Sequence, residues 1–142
     1  ELQSATTVPV VTSSLLLLPG LLRQQAQVGV LTISAGKLGK EHLRSAGVPR
    51  ERLADVLVQG VDPASEFATR ILQNQPTMDL AQAERDVVAA AMALKARAPG
   101  LTTLVLECTN MPPYRASIEA ATGFKTLWLQ DCAALFRPFE GA

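Results

Sequence analysis

Short segments that are apolar at nearly every position recur along this chain, separated by segments with helical periodicity or turn residues. They predict strands over residues 8–12, 28–34, 56–61, 101–107 and 125–130. Continuously apolar strands are typical of a parallel sheet that is covered on both faces, because a sheet with one solvated face shows alternation. The pattern therefore predicts an α/β fold: a three-layer parallel sheet with helices on both faces, flavodoxin-like or Rossmann-like.

The helices are predicted between these strands. The most regular one covers residues 79–98, where apolar residues recur at steps of three and four: Leu80, Ala83, Val87, Ala91 and Leu94. Asp62 and Pro63 predict a helix with an aspartate N-cap and proline at its first position. Another helix is predicted over 112–121, with Gly123 ending it.

Composition excludes several classes of protein. The 142 residues predict one α/β domain over 1–142. Thirteen basic and thirteen acidic residues give no net charge and no basic stripe, so a nucleic-acid partner is not expected. The apolar run Leu15–Leu18 is too short to span a bilayer. Two cysteines and one histidine do not suffice for a usual zinc site, and no metal is expected. With no signal peptide visible, a cytoplasmic protein is predicted.

The segment LVLECTNMPPY, residues 104–114, places Cys108 where a predicted strand ends. In an open parallel sheet, ligands bind beyond the carboxyl ends of the strands. If Pro112 begins the next helix, Cys108 lies near a helix N-terminus, which favours the thiolate and lowers its pKa. The segment thus predicts a catalytic thiol. The alternative is a cysteine that packs as a small buried hydrophobe.

Hydroxyl and amide side chains accompany the predicted strand ends. Together they predict a polar cup that binds a small carboxylate: Thr12, Ser13, Thr32, Ser34, Thr109 and Asn110. The alternative for any one serine or threonine is ordinary helix capping. Gly36 and Gly39 fit neither a dinucleotide nor a P-loop fingerprint, so no nucleotide cofactor is expected.

From LVLECTNMPPY, and from its order after VPVVTSS and QVGVLTIS, the chain resembles the aspartate/glutamate racemase superfamily, which includes hydantoin racemase, maleate isomerase and arylmalonate decarboxylase. The resemblance implies a cofactor-independent racemase or isomerase of a small carboxylate such as an amino acid. One cysteine thiolate removes the α-proton and a second thiol returns one. Cys108 would be the second cysteine, Thr109 would bind the carboxylate, and a homodimer is implied.

The chain departs from that family pattern in two places. Asn110 stands where many glutamate racemases carry histidine, and the first cysteine has no counterpart, since Cys132 lies on the wrong element. With Glu1 opening the sequence, this predicts the C-terminal part of a larger racemase-like protein, inactive alone. A single-cysteine decarboxylase is the alternative within the family. A noncatalytic α/β ligand-binding or interaction module is the alternative outside it.

Overall fold

The computed structural model describes residues 13–136, and the side chains of 13–132. Four parallel strands form its sheet: β1 Val28–Thr32, β2 Val56–Gly60, β3 Thr103–Leu106 and β4 Lys125–Leu127. Their spatial order is β2-β1-β3-β4. Val30 of β1 lies opposite Val58 on one side and Val105 on the other. The predicted α/β class with a parallel sheet is confirmed, while the predicted strand 8–12 lies outside the described residues.

Helical segments connect the strands. The α-helices are α1 Leu18–Gln24, α2 Lys40–Ser45, α3 Glu66–Leu72, α4 Leu80–Arg97 and α5 Arg115–Thr122. Short 3-10 helices cover Ser14–Leu17, Ala35–Lys37, Arg50–Asp55, Pro112–Tyr114 and Leu129–Phe136. None of the helices in this part of the chain combines the length and hydropathy that crossing a membrane requires.

The core consists of two apolar clusters built from alternating positions of the strands. Val30 packs in one cluster with residues of α1 and α2, whereas its neighbour Leu31 packs in the other with residues of α3, α4 and α5. Because successive side chains of a strand point to opposite faces of a sheet, both faces of β1 are packed. This explains why every residue of β1 is buried and why its sequence shows no alternation.

Helix α4 confirms the helix predicted over 79–98, but one of the residues predicted for its buried face is exposed. Asp79 caps it by accepting a hydrogen bond from the Gln82 N–H at 3.0 Å. Ala83, Val87, Ala91 and Leu94 are buried as expected, but Leu80 is 65% exposed. Leu80 is the first helical residue, and the face packed on the core begins only at Ala83.

The start of α3 corrects the prediction made from Asp62 and Pro63. Asp62 Oδ1 instead accepts from the Ala64 N–H at 2.9 Å, which forms a tight turn. The helix begins at Glu66, and Ser65 caps it by accepting from the Ala68 N–H at 3.1 Å. At the other end of the chain, Gly123 ends α5 with φ of 75°, as predicted.

The chain beyond β1 crosses closely over the end of β2. A Cβ atom on Gly60 would lie only 2.8 Å from the backbone nitrogen of Ala35. Glycine at position 60 therefore permits the turn that ends β1 at Thr32, rather than at Ser34 as predicted from the sequence. This close approach fixes where Ile33 and Ser34 lie at the carboxyl edge of the sheet.

Candidate functional site

A cavity of about 340 Å³ lies at the carboxyl edge of the sheet, where parallel-sheet proteins bind ligands. It is formed by the ends of β1, β3 and β4 and by the turn that precedes α1. The residues lining it are Ser13, Ser14, Ile33, Leu106, Glu107, Cys108, Thr109, Pro112, Trp128 and Leu129. Among the described residues, the only charged one that lines it is Glu107, so the cavity combines a thiol, hydroxyls, a carboxylate and apolar walls.

Backbone hydrogen bonds position the segment that carries the thiol. The Glu107 N–H donates to the Leu31 carbonyl at 2.9 Å, which continues the sheet pairing one residue beyond β3. The chain then turns, and the Met111 N–H donates to the Cys108 carbonyl at 3.1 Å. Met111 is fully buried and anchors this turn in the core. Cys108 therefore lies in a fixed turn at the end of β3.

The turn before α1 is held against the same strand end. Ser14 is 2% exposed, and its Oγ donates to the Leu106 carbonyl at 2.9 Å. Ser13 caps the following 3-10 helix by accepting from the Leu15 N–H at 3.1 Å. Both serines line the cavity. Ser13 also caps a helix, which was the alternative considered for the sequence, whereas Ser14 ties this turn to the end of β3.

The Cys108 thiol is 9% exposed and lines the cavity, while also belonging to the core. Burial raises its pKa above the ordinary value, because a thiolate loses solvation. The backbone and side-chain N–H groups of Asn110 oppose that rise, the side-chain nitrogen lying 3.9 Å from Sγ. The negative charge of Glu107 raises the pKa of Cys108 further.

The expectation that a helix N-terminus lowers the pKa of Cys108 is wrong. Pro112 begins a short 3-10 helix, and α5 starts only at Arg115, seven residues beyond the thiol. The dipole of a helix acts mainly within its first turn. Desolvation therefore dominates and keeps the pKa of Cys108 above its ordinary value.

Glu107 is the functional candidate that sequence reasoning missed. Its Oε2 accepts a hydrogen bond at 2.8 Å from the hydroxyl of Thr32, which is 2% exposed at the end of β1. The signal was present in the sequence, since a lone acidic residue followed an apolar run and preceded the cysteine. Trp128, at the end of β4, was also missed as a lining residue.

The predicted carboxylate-binding residues divide into several groups. Ser13 and Thr109 line the cavity with Cys108. Thr32 and Asn110 do not line the cavity, but each hydrogen-bonds to a residue that does: Thr32 to Glu107, and Asn110 to the thiol of Cys108. Ser34 is not among the lining residues, because the turn after Thr32 places Ile33 there instead. Thr12 lies outside the described residues.

Cys132 is not among the residues that line the cavity, and it packs in the protein interior, as its position in the sequence suggested. It is fully buried, and its thiol donates to the Ser13 carbonyl with the sulfur 3.8 Å away. Burial and the nearby charge of Asp131 raise the pKa of Cys132. Both cysteines are free thiols.

Replacing Glu107 with glutamine is expected to lower the pKa of Cys108, because it removes a negative charge that disfavours the thiolate. Glutamine keeps an oxygen that can accept the Thr32 hydrogen bond. The pH dependence of Cys108 alkylation by iodoacetamide, read by peptide mass spectrometry, measures the change. Cys132 in the same digest is the internal control. An unchanged or higher pKa of Cys108 in the variant would contradict this account of the site.

Comparison with known proteins gives one significant similarity. Residues of this chain are 30% identical over 129 positions to a protein named dimethylsulfoniopropionate lyase from Durusdinium sp. clade D. The alignment covers 87% of this chain but 42% of that protein, so the chain spans less than half the length of the relative it matches. No family model matches the chain, and no solved structure matches it.

This comparison corrects the assignment made from LVLECTNMPPY. No family model supports membership of the aspartate/glutamate racemase superfamily, and the relative is named a lyase rather than a racemase or isomerase. The prediction of a racemase or isomerase is therefore wrong. What the comparison does show is that the chain is similar, along most of its length, to an enzyme.

Proposed function

We propose that this chain belongs to a lyase that eliminates a leaving group from a small carboxylate, with Cys108 as the base. One observation carries the proposal: the thiol lines a cavity at the carboxyl edge of a parallel sheet. The similarity to a dimethylsulfoniopropionate lyase supports it and suggests that compound, or a close analogue, as substrate.

The chemistry follows from the substrate that the relative's name specifies. Dimethylsulfoniopropionate carries a sulfonium on the carbon next to its α-carbon. If the Cys108 thiolate removes an α-proton, that electron pair forms a carbon–carbon double bond and the bond to sulfur breaks. Dimethyl sulfide leaves with the bonding electrons, and acrylate remains. The protonated thiol then loses its proton to water, which completes the turnover without an oxidant or reductant.

The residues that line or adjoin the cavity have distinct tasks in this proposal. The N–H groups of Asn110 hydrogen-bond the thiol sulfur and favour its ionised form, which a base requires. Thr109 and Ser13 supply hydroxyls at the cavity wall for the substrate carboxylate. Ile33, Leu106 and Leu129 supply apolar surface that keeps water from the reacting carbon.

The test is to supply the purified protein with dimethylsulfoniopropionate in deuterated water. Dimethyl sulfide is measured in the headspace and acrylate by proton NMR, both expected in equal amounts. If proton removal is reversible, recovered substrate carries deuterium on the carbon next to its carboxylate. Absence of both products, with no deuterium incorporated, would overturn the proposed function.

A further inference from the structure

Glu107 brings to the cavity a negative charge that forms no ion pair with any described residue. Ion pairs in the described part of the chain join Arg52 to Asp55 and Arg70 to Glu66, and neither reaches Glu107. The lining residues include no lysine or arginine. A carboxylate that is half removed from water without a cationic partner is unfavourable in the empty site. Its charge is therefore available to a cationic group of a ligand.

The carboxylate of Glu107 is also held in place. Thr32 is buried at the end of β1 and donates to Oε2, whereas no described residue hydrogen-bonds to Oε1. The hydrogen bond joins the neighbouring ends of β1 and β3, which pair directly in the sheet. An acidic side chain fixed by a buried hydroxyl is preorganised for a ligand.

Trp128 adds an aromatic surface to the same cavity. Its backbone N–H donates to Asp131 Oδ2 at 2.9 Å, which fixes the turn after β4. The guanidinium of Arg115 already lies over one face of the indole, 5.9 Å from its centre and held by hydrogen bonds to Thr126, so a ligand has only the other face. An indole attracts cations at its faces, and quaternary ammonium ligands are commonly recognised in this way.

We propose that Glu107 and Trp128 form a subsite for a methylated onium group, either sulfonium or quaternary ammonium, and so determine which carboxylates the cavity accepts. Such a group carries positive charge but has no N–H with which to hydrogen-bond. It is recognised instead by a nearby carboxylate, an aromatic face and apolar contacts for its methyl groups. Ile33 and Leu129 supply such contacts. This inference rests on the proposed function, which supplies the carboxylate part of the ligand.

The test compares two ligands of nearly identical shape. One is the trimethylammonium analogue of dimethylsulfoniopropionate; the other carries an uncharged tert-butyl group in place of trimethylammonium. Trp128 is the only tryptophan in the chain, so its fluorescence reports binding at this site. In a Cys108→Ala background we expect the ammonium ligand to bind at least about tenfold more tightly than the tert-butyl ligand.

Glu107→Gln is expected to remove most of that discrimination, chiefly by weakening the ammonium ligand. Glu51→Gln is the matched control, since Glu51 is an exposed acid in the 3-10 helix before β2, at the opposite edge of the sheet. Trp128→Leu should reduce the affinity for the ammonium ligand more than the affinity for the tert-butyl ligand, as measured by calorimetry. Equal binding of the two ligands to the Cys108→Ala protein overturns the proposal, whether or not the variants at Glu107 and Trp128 fold.

Sulfonium and ammonium ligands are separated by direct competition between dimethylsulfoniopropionate and its ammonium analogue. The binding result is independent of turnover because the protein lacks Cys108. In one outcome, the Cys108→Ala protein discriminates between the ligands while the protein that keeps Cys108 releases no dimethyl sulfide. That result would support the subsite and refute the lyase. Release of dimethyl sulfide with discrimination unchanged in Glu107→Gln would support the lyase and refute the subsite.

Discussion

Replacing Cys108 with alanine is expected to reduce the elimination rate by about 100- to 10,000-fold, the usual contribution of a positioned acid or base. The reason is that no other thiol lines the cavity among the described residues, and Cys132 is buried elsewhere. Steady-state release of dimethyl sulfide measures the effect. Wild-type turnover by Cys108→Ala would remove this thiol from the mechanism.

Serine at position 108 separates chemistry from packing. Its side chain is close in size to cysteine and would fill the same space at the edge of the core. Its hydroxyl ionises far less readily, so it cannot act as a base near neutral pH. We therefore expect Cys108→Ser to be as inactive as Cys108→Ala. Activity restored by serine would mean that Cys108 only packs, which was the alternative considered for a cysteine at the end of an apolar strand.

Cys132→Ala is the matched control for both variants. Cys132 is more deeply buried than Cys108 and does not line the cavity, although its thiol contacts the backbone carbonyl of Ser13, a lining residue. Its loss is expected to lower the stability somewhat while leaving turnover per folded molecule unchanged. A folded but inactive Cys132→Ala protein would implicate Cys132 in catalysis and would contradict the assignment of Cys108 as the base.

The raised pKa of Cys108 means that, without a ligand, the site disfavours the thiolate that the proposed reaction requires. Burial and Glu107 both favour the neutral thiol, so a base at this position needs something to offset them. A ligand with an onium group beside Glu107 brings a positive charge that does so. The onium group of such a substrate would promote ionisation of the thiol that removes its proton, whereas a carboxylate without an onium group would add a second negative charge and oppose ionisation.

The strands were predictable because burial on both faces removes polar alternation, a signal that survives in the sequence. The four observed strands lie within the predicted segments, each shortened where a turn begins. Capping was less predictable. Asp62 and Ser65 are both good N-cap residues, and only the turn made by Asp62 with Ala64 assigns the cap to Ser65.

The site was predictable only where it follows directly from strand ends. The end of β3 placed Cys108 and Thr109 at the carboxyl edge, and both line the cavity. Trp128 could not be assigned in this way, because its place depends on β4 pairing with β3. The racemase prediction failed for a related reason: a short cysteine–threonine segment specifies a thiol at a strand end, not the reaction performed there.

Phe67→Ala is expected to destabilise the protein by about 3–5 kcal/mol, the usual cost of truncating a fully buried phenylalanine. Phe67 lies on α3 with no exposed surface. Its ring meets that of Tyr114 edge to face, with centroids 6.2 Å apart and an angle of 79°. Tyr114 in turn belongs to the 3-10 helix that follows the Cys108 turn. The lost contacts therefore lie beneath the segment that carries the thiol.

Urea denaturation measures the free energy of unfolding, and Leu72→Ala is the matched control. Leu72 ends the same helix but is 52% exposed, so its truncation should change stability by no more than about 0.5 kcal/mol. Combining Phe67→Leu with Tyr114→Leu isolates the ring contact, for which we expect a coupling of about 0.5–1.5 kcal/mol. Equal losses in Phe67→Ala and Leu72→Ala would contradict the packing described here. A coupling near zero would instead show that α3 supports the thiol segment by filling space, not through the pair of rings.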